Sequence, residues 1–251
     1  MLSNRPFSAA TGSGATIPSR PASAKEYAKL RLQMVQDQVF ARGVRSDKVL
    51  DAMRNVLREQ FLPEELREFA YEDSPLPIAG GQTISQPYIV AFMAEALNLQ
   101  GGENVLEIGS GSGYAAAVLA QIAGNVYTIE RVQELASSAR ATLARLGFGN
   151  VQVRHGDGTR GWPEKAPFDA IVVAAGGPDV PESLKQQLRI GGRIVIPVGP
   201  DQRFQELVRI TRVSENRFEV EELATSGSCR SLARKAGCQL HRLCPKPGAC
   251  R

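Results

Sequence analysis

VLEIGSGSGYAAAVLA, residues 105–120, changes character twice within its length. Val105, Leu106 and Ile108 form an apolar run of strand type, Gly109, Gly111 and Gly113 alternate with two serines, and the alanine-rich end reads as a helix. A strand that passes through glycines into a helix turns sharply, and the absent side chains let a ligand approach the backbone. In an open α/β sheet such a turn lies at the carboxyl ends of the strands, where ligands bind.

The same strand-like pattern recurs downstream. VYTIE (126–130), VQVRHGD (151–157), FDAIVVAA (168–175) and GRIVIPVG (192–199) read as short strands, separated by helix-like AAAVLAQIA (115–123) and VQELASSARATLARLG (132–147). Strands alternating with helices predict an α/β, Rossmann-like domain, a mostly parallel sheet with helices on both faces. QELVRITRV (205–213) and FEVEEL (218–223) predict a closing hairpin. Upstream, Tyr27, Leu30, Met34, Val35 and Val39 recur at helical spacing from Glu26 onward, and 48–56 repeats the pattern. PLPIAGGQTISQP (75–87) is too rich in Pro and Gly for a helix or central strand and predicts an ordered loop. The following YIVAFMAEAL (88–97) predicts a helix capped by Ser85.

Composition bounds the remainder. With 43% hydrophobic and 22% charged residues over 251, the chain has material for a sizeable core, which excludes a collagen-like, coiled-coil or wholly disordered protein. No apolar stretch approaches the ~18 residues a membrane-spanning helix needs. Six of the 30 basic residues lie between Cys229 and Arg251, where there is no acid; setting them aside leaves 24 basic against 26 acidic. The body is therefore mildly acidic, and the basic total is no argument for nucleic-acid binding. Cys229, Cys238, Cys244 and Cys250 all fall in that tail, so no disulfide framework holds the core. Residues 1–25, rich in Ser, Ala, Gly, Thr and Pro, are expected to be a disordered leader without a secretory signal. The expected organisation is leader 1–25, one folded domain 26–224 with a helical N-terminal extension, and a basic, cysteine-containing tail 225–251 that is disordered rather than a zinc site or a basic interaction arm.

Spacing narrows the ligand. A dinucleotide fingerprint wants Gly or Ala three residues after Gly111, and Tyr114 stands there instead. An acid, Glu107, stands two residues before the first glycine; a carboxylate would repel a pyrophosphate and suits a ligand carrying an amino group and a sulfonium. S-adenosylmethionine is such a ligand. Glu130 ends the second strand of the alternating region, where its carboxylate can accept both ribose hydroxyls, and Asp157 can accept from the adenine amino group, with Gly158 leaving room for the ring. Either acid alone would be an ordinary strand-end carboxylate; it is the three together, on successive strands, that point to this cofactor.

The acceptor is narrowed by elimination. After the fourth of these strands the chain reads AAGG (174–177), where an amino-group methyltransferase carries Asn or Asp followed by two prolines and an aromatic residue. The core has no cysteine for base methylation through a thiol and one histidine, His155, read as a surface residue. A carboxylate needs no base, being ionised and nucleophilic at pH 7, so its methylation reduces to proximity and orientation. No metal is expected.

GGQTISQP (80–87), residues 105–120, GDG (156–158), FDAIVVAAGGPDVPESL (168–184) and LKQQLRIGGRIVIPVG (184–199) together resemble protein-L-isoaspartate O-methyltransferases, over about residues 26–223. The resemblance implies S-adenosylmethionine-dependent methylation of the α-carboxylate of L-isoaspartyl residues, and of D-aspartyl side chains, in damaged proteins, by a cytoplasmic monomer without nucleic-acid or membrane partners. It implies Ser85 as the active-site residue, hydrogen-bonding the acceptor, with Gln82, Thr83 and Ile84 lining the same cleft and Pro87 fixing the loop. Beyond Leu223 the resemblance stops: the family's final strand, of VRFVPL type, is replaced by ATSGSCRSLARKAGCQLHRLCPKPGACR (224–251). Two other readings use the same pocket: an O-methyltransferase for a small carboxylic acid, and a non-catalytic cofactor-binding protein acting through its basic tail.

Overall fold

The computed structural model describes residues 22–200 and 205–225. Most of the expected leader and nearly all of the expected tail, including its four cysteines, lie outside them. The first helix, α1 (Ala24–Met34), starts two residues before Glu26 because Ser23 and Glu26 close a reciprocal cap: the Ser23 hydroxyl accepts from the Glu26 amide at 3.3 Å, and the Glu26 carboxylate accepts from the Ser23 amide. A π turn over Val35–Val39 and a 3-10 turn over Phe40–Arg42 continue it to Gly43, whose φ of +106° ends the run. Helix α2 (Asp47–Asn55) follows.

The Pro/Gly-rich segment is a loop folded on itself. Strands β1 (Leu76–Pro77) and β2 (Thr83–Ile84) pair antiparallel as a separate two-stranded sheet. Helix α3 (Pro87–Leu97) begins directly after it. Here the expected cap is corrected. Proline, with φ preset and no N–H to lose, occupies the first helical position, so the cap place falls to Gln86. Ser85 lies one residue too early to cap the helix, and its side chain makes no cap hydrogen bond.

From there the alternation predicted by the sequence is realised. The elements run β3 (Asn104–Ile108), α4 (Tyr114–Ala120), β4 (Asn125–Glu130), α5 (Gln133–Arg145), β5 (Val151–His155), β6 (Phe168–Val173), α6 (Glu182–Gln186), β7 (Leu188–Val198), β8 (Glu206–Ser214) and β9 (Arg217–Thr225). The sheet order is β5-β4-β3-β6-β7-β8-β9, parallel through β7 and antiparallel in the closing hairpin. Strand β7 begins four residues before the expected GRIVIPVG, with a register shift against β6 and Gly191 at φ +82°. Both faces of the central strands are buried. Successive residues Val105 and Leu106 enter opposite cores, as do Ala170 and Ile171. The N-terminal helices, α3 and α4 fill one core; Phe168, Leu184 and Leu188 help fill the other. No helix among the described residues is long and apolar enough to cross a membrane.

Candidate active site

The turn after β3 is held from below and from the side. Gly109 donates to the Ile129 carbonyl at 2.8 Å, and Gly113 to the Ser110 carbonyl at 2.7 Å. Gly109, Gly111 and Gly113 have φ of +94°, +51° and +89°, a region that a side chain makes costly. Glu130, at the end of β4, staples the turn: one carboxylate oxygen accepts from the Gly111 amide and the other from the Val132 amide, both at 2.9 Å. A carboxylate offers about four acceptor directions, so Glu130 keeps capacity for ligand hydroxyls.

Two adjoining cavities open over this turn. One, of about 600 Å³, has Gly109, Glu130, Asp157, Gly158 and the 176–178 loop on its wall. The other, of about 170 Å³, is bounded by Gln82, Thr83, Ile84 and Ser85 on one side and by Gly111 and Tyr114 on the other. Gln82, Gly109, Glu130 and Ala175 border both, so the two form one continuous cleft. Asp157 is exposed there, and hydrogen bonds from the Thr159 hydroxyl (2.7 Å) and amide (3.0 Å) hold its carboxyl below its ordinary value. Gly158 is demanded first by packing, since a Cβ would stand 2.3 Å from the Ile108 Cγ2.

Two predicted residues sit behind the cleft. Gly113 shapes the turn from within, its missing Cβ facing Leu143 and Ala139. Glu107 is buried under the turn, where the Thr128 hydroxyl donates to one carboxylate oxygen and itself contacts the Ser110 hydroxyl at 2.6 Å. Its other oxygen, Oε1, is buried with no partner among the described residues. Burial pushes this carboxyl up to about 8; the Thr128 hydrogen bond opposes that and the Glu130 charge adds to it. Glu107 borders a small hollow of about 30 Å³ that shares Ser85, Val90, Ala115 and Ala174 with the acceptor-side cavity. The residues fit the expected cofactor on this observation: an orphaned buried carboxylate oxygen is an acceptor for an ammonium group.

His155 lies off both cavities, its ring bonded to the Arg131 carbonyl at 3.1 Å, and the Tyr114 hydroxyl donates to the Met53 sulfur at 3.5 Å. Neither is placed as a base. No group of three or more metal-ligating side chains occurs among the described residues.

Sequence reasoning missed Arg58. It begins the 3-10 turn Arg58–Phe61, is 0% exposed, and donates from Nε to the Ala70 carbonyl at 2.7 Å and from Nη2 to the Ser85 carbonyl at 2.8 Å. A charged residue in an N-terminal extension carries no local signal that it will be buried. Gln187 was missed because its partners lie 25 and 27 positions away; it ties the loop carrying Asp157 by accepting from the Trp162 amide at 2.7 Å and donating to the Arg160 carbonyl at 2.9 Å.

Residues 30–227 match the family model described as protein-L-isoaspartate(D-aspartate) O-methyltransferase. Protein-L-isoaspartate O-methyltransferase 1 of Rhodopseudomonas palustris strain HaA2 is 65% identical over 212 residues, 84% of this chain and 86% of that protein. Protein-L-isoaspartate O-methyltransferase 2 of Marinobacter nauticus is 58% identical over 195 residues, 78% of this chain and 89% of that one. Among solved structures, a protein-L-isoaspartate O-methyltransferase superposes with a TM-score of 0.69 at 31% identity, covering 79% of this chain and 63% of its own. A Plasmodium falciparum β-aspartate methyltransferase structure containing S-adenosyl-L-homocysteine gives a TM-score of 0.67 at 26% identity, covering 78% and 94%.

Proposed function

The chain belongs to the protein-L-isoaspartate(D-aspartate) O-methyltransferase family, and from that premise we propose how its residues divide the work of the reaction. The protein is an S-adenosyl-L-methionine-dependent enzyme that methylates the α-carboxylate of L-isoaspartyl residues in damaged proteins and so initiates their repair. When bound, the cofactor supplies an electrophilic methyl group on a sulfonium. Glu107 would hold its amino group, Glu130 its ribose hydroxyls and Asp157 its adenine amino group, with Gly109, Gly111 and Gly113 forming the turn and Gly158 closing the adenine end.

The acceptor is ionised at pH 7 and needs no proton removed. What the chain contributes is alignment. Ser85 donates a hydrogen bond to the acceptor carboxylate or its peptide and fixes the angle of approach, while Gln82, Thr83 and Ile84 form the wall against which the peptide lies. Held by Ser85 at that angle, the acceptor oxygen would meet the methyl group that the bound cofactor supplies, the products being the methyl ester and S-adenosylhomocysteine. The neighbouring backbone nitrogen then attacks the ester carbonyl and gives up its proton as methanol is expelled to solvent, leaving a succinimide whose hydrolysis returns some normal aspartate. The observation that carries this assignment is that Ser85 and the Glu130-stapled turn face one continuous cleft.

D-aspartyl side chains are a second acceptor in this reading, and the protein works as a cytoplasmic monomer on proteins and peptides, not on nucleic acid or membranes. The mildly acidic body supports the last point, since a chain with 24 basic against 26 acidic residues outside its tail offers no excess charge to a phosphate backbone. Steady-state kinetics on an isoaspartyl peptide test the role of Ser85. Ser85→Ala is expected to lower kcat/KM by about thirtyfold, the ~2 kcal/mol of a hydrogen bond to a charged group, with S-adenosylhomocysteine affinity unchanged. Unaltered kcat/KM would remove Ser85 from the site.

A further inference from the structure

Arg58 is a buried cation without a carboxylate. Among the described residues it makes no ion pair; its partners are two backbone carbonyls and Tyr114, whose ring centroid is 4.7 Å from the guanidinium carbon and whose side chain opposes the effect of burial on the guanidinium. One terminal nitrogen, Nη1, is buried with no partner. Burying an unpaired charge is costly, and burial lowers the Arg58 pKa from its ordinary value. An apolar residue in the same place would avoid that cost, so the core itself gives no reason for the guanidinium.

Its three contacts do. The Ser85 carbonyl belongs to the acceptor loop, Tyr114 is the first residue of α4 beyond the glycine turn, and Ala70 caps the 3-10 turn Glu64–Phe69 of the N-terminal extension. One planar group therefore spans the two walls of the cavity that holds acceptor and methyl donor, anchored to a third element. The far side of the loop has its own tether: Gln86 donates to the Asp73 carboxylate at 2.7 Å, and Asp73 pairs with Arg42 at 3.0 Å.

We propose that Arg58 is a positioning residue for methyl transfer, a strut that acts through Ser85 to set the distance between the acceptor loop and the cofactor turn. This rests on the reading of Ser85 as the acceptor contact. A misplacement of about 1 Å at a reacting centre can cost about a hundredfold, so even a small relaxation of the strut is visible in turnover. Lysine keeps the charge but lacks the rigid fork that reaches two carbonyls at once.

The test is a double-mutant cycle with Arg58→Lys and Ser85→Ala, reading kcat and KM for an isoaspartyl peptide and, by calorimetry, Kd for S-adenosylhomocysteine. Arg58→Lys is expected to lower kcat about tenfold or more with Kd for S-adenosylhomocysteine within about threefold of wild type. In the Ser85→Ala background the same change is expected to cost less than about threefold, because the hydroxyl whose position it sets is gone although the carbonyl it bonds remains. Four results would overturn the proposal: unchanged kcat in Arg58→Lys, the same loss in both backgrounds, a parallel loss of cofactor affinity, or failure of both Arg58→Lys and Arg58→Gln to fold. The last would assign Arg58 to the fold rather than to the loop. Failure of the underlying reading shows separately, as unaltered kcat/KM in the Ser85→Ala single variant.

Discussion

Glu107 and Glu130 are adjacent carboxylates with opposite surroundings, and the difference predicts pH behaviour. Glu130 is satisfied by two backbone amides, whereas Glu107 has one hydroxyl donor and an orphaned oxygen. The folded Glu107 carboxyl, raised from 4.5 to about 8, binds a proton over an interval in which the unfolded chain does not. Its contribution to stability is thus fully present below the unfolded value and is lost as pH rises toward about 8. Urea denaturation of the cofactor-free protein is expected to show this fall, and Glu107→Gln to abolish it; an equal slope in both proteins would contradict the assignment. If the cofactor ammonium pairs with ionised Glu107, S-adenosylhomocysteine binding at pH 7 releases a proton. Affinity then rises with pH and levels off near 8, as calorimetry in buffers of different ionisation enthalpy would register. Spacing alone marked Glu107 as an acid of the glycine turn. That it lies beneath the cleft and not on its wall depends on Thr128, 21 positions away in sequence, and no local pattern reports such a contact.

The elements are legible to the extent that burial repeats. Strands β3 and β6 read as apolar runs because both their faces are covered, and the closing hairpin reads as alternation. Where local chemistry competes, reading fails: Ser85 has the side chain of a cap, but Pro87 moves the helix start and the cap place to Gln86. The π turn Val35–Val39 keeps Val35 and Val39 buried without any departure from a helical sequence pattern, so it too was invisible. The glycines of the turns differ in what they protect. At Gly113 a side chain meets both a positive φ and Leu143 Cδ1 at 3.2 Å, whereas Gly81, at φ +65°, faces open space. Gly113→Ala is expected to cost about 2–3 kcal/mol and to weaken S-adenosylhomocysteine binding, and Gly81→Ala about 1 kcal/mol from backbone strain alone. Equal losses in denaturation midpoints would show that α5 does not press on the cofactor turn.

Over the whole molecule, in the proposed arrangement the parallel sheet supplies the cofactor half of the cleft and the N-terminal extension supports the acceptor half through Arg58 and the Arg42–Asp73–Gln86 chain. The first half was readable because the three acids fall at or just past the carboxyl ends of three neighbouring strands: Glu107 next to last in β3, Glu130 last in β4 and Asp157 two residues beyond β5. The second was carried by the resemblance of GGQTISQP, since nothing in the spacing of Arg58 or Asp73 announces that they reach the loop. The family match ends at residue 227, just past β9. A chain shortened after that residue is expected to methylate an isoaspartyl peptide as the full chain does, and loss of turnover on truncation would place part of the site in 228–251. The most direct test of the central claim is transfer of labelled methyl from S-adenosyl-L-methionine to a matched pair of peptides, one with L-isoaspartate and one with normal aspartate. Base-labile label on the isoaspartyl peptide alone is the expected result. Label on both peptides, or on neither despite cofactor binding, would contradict it.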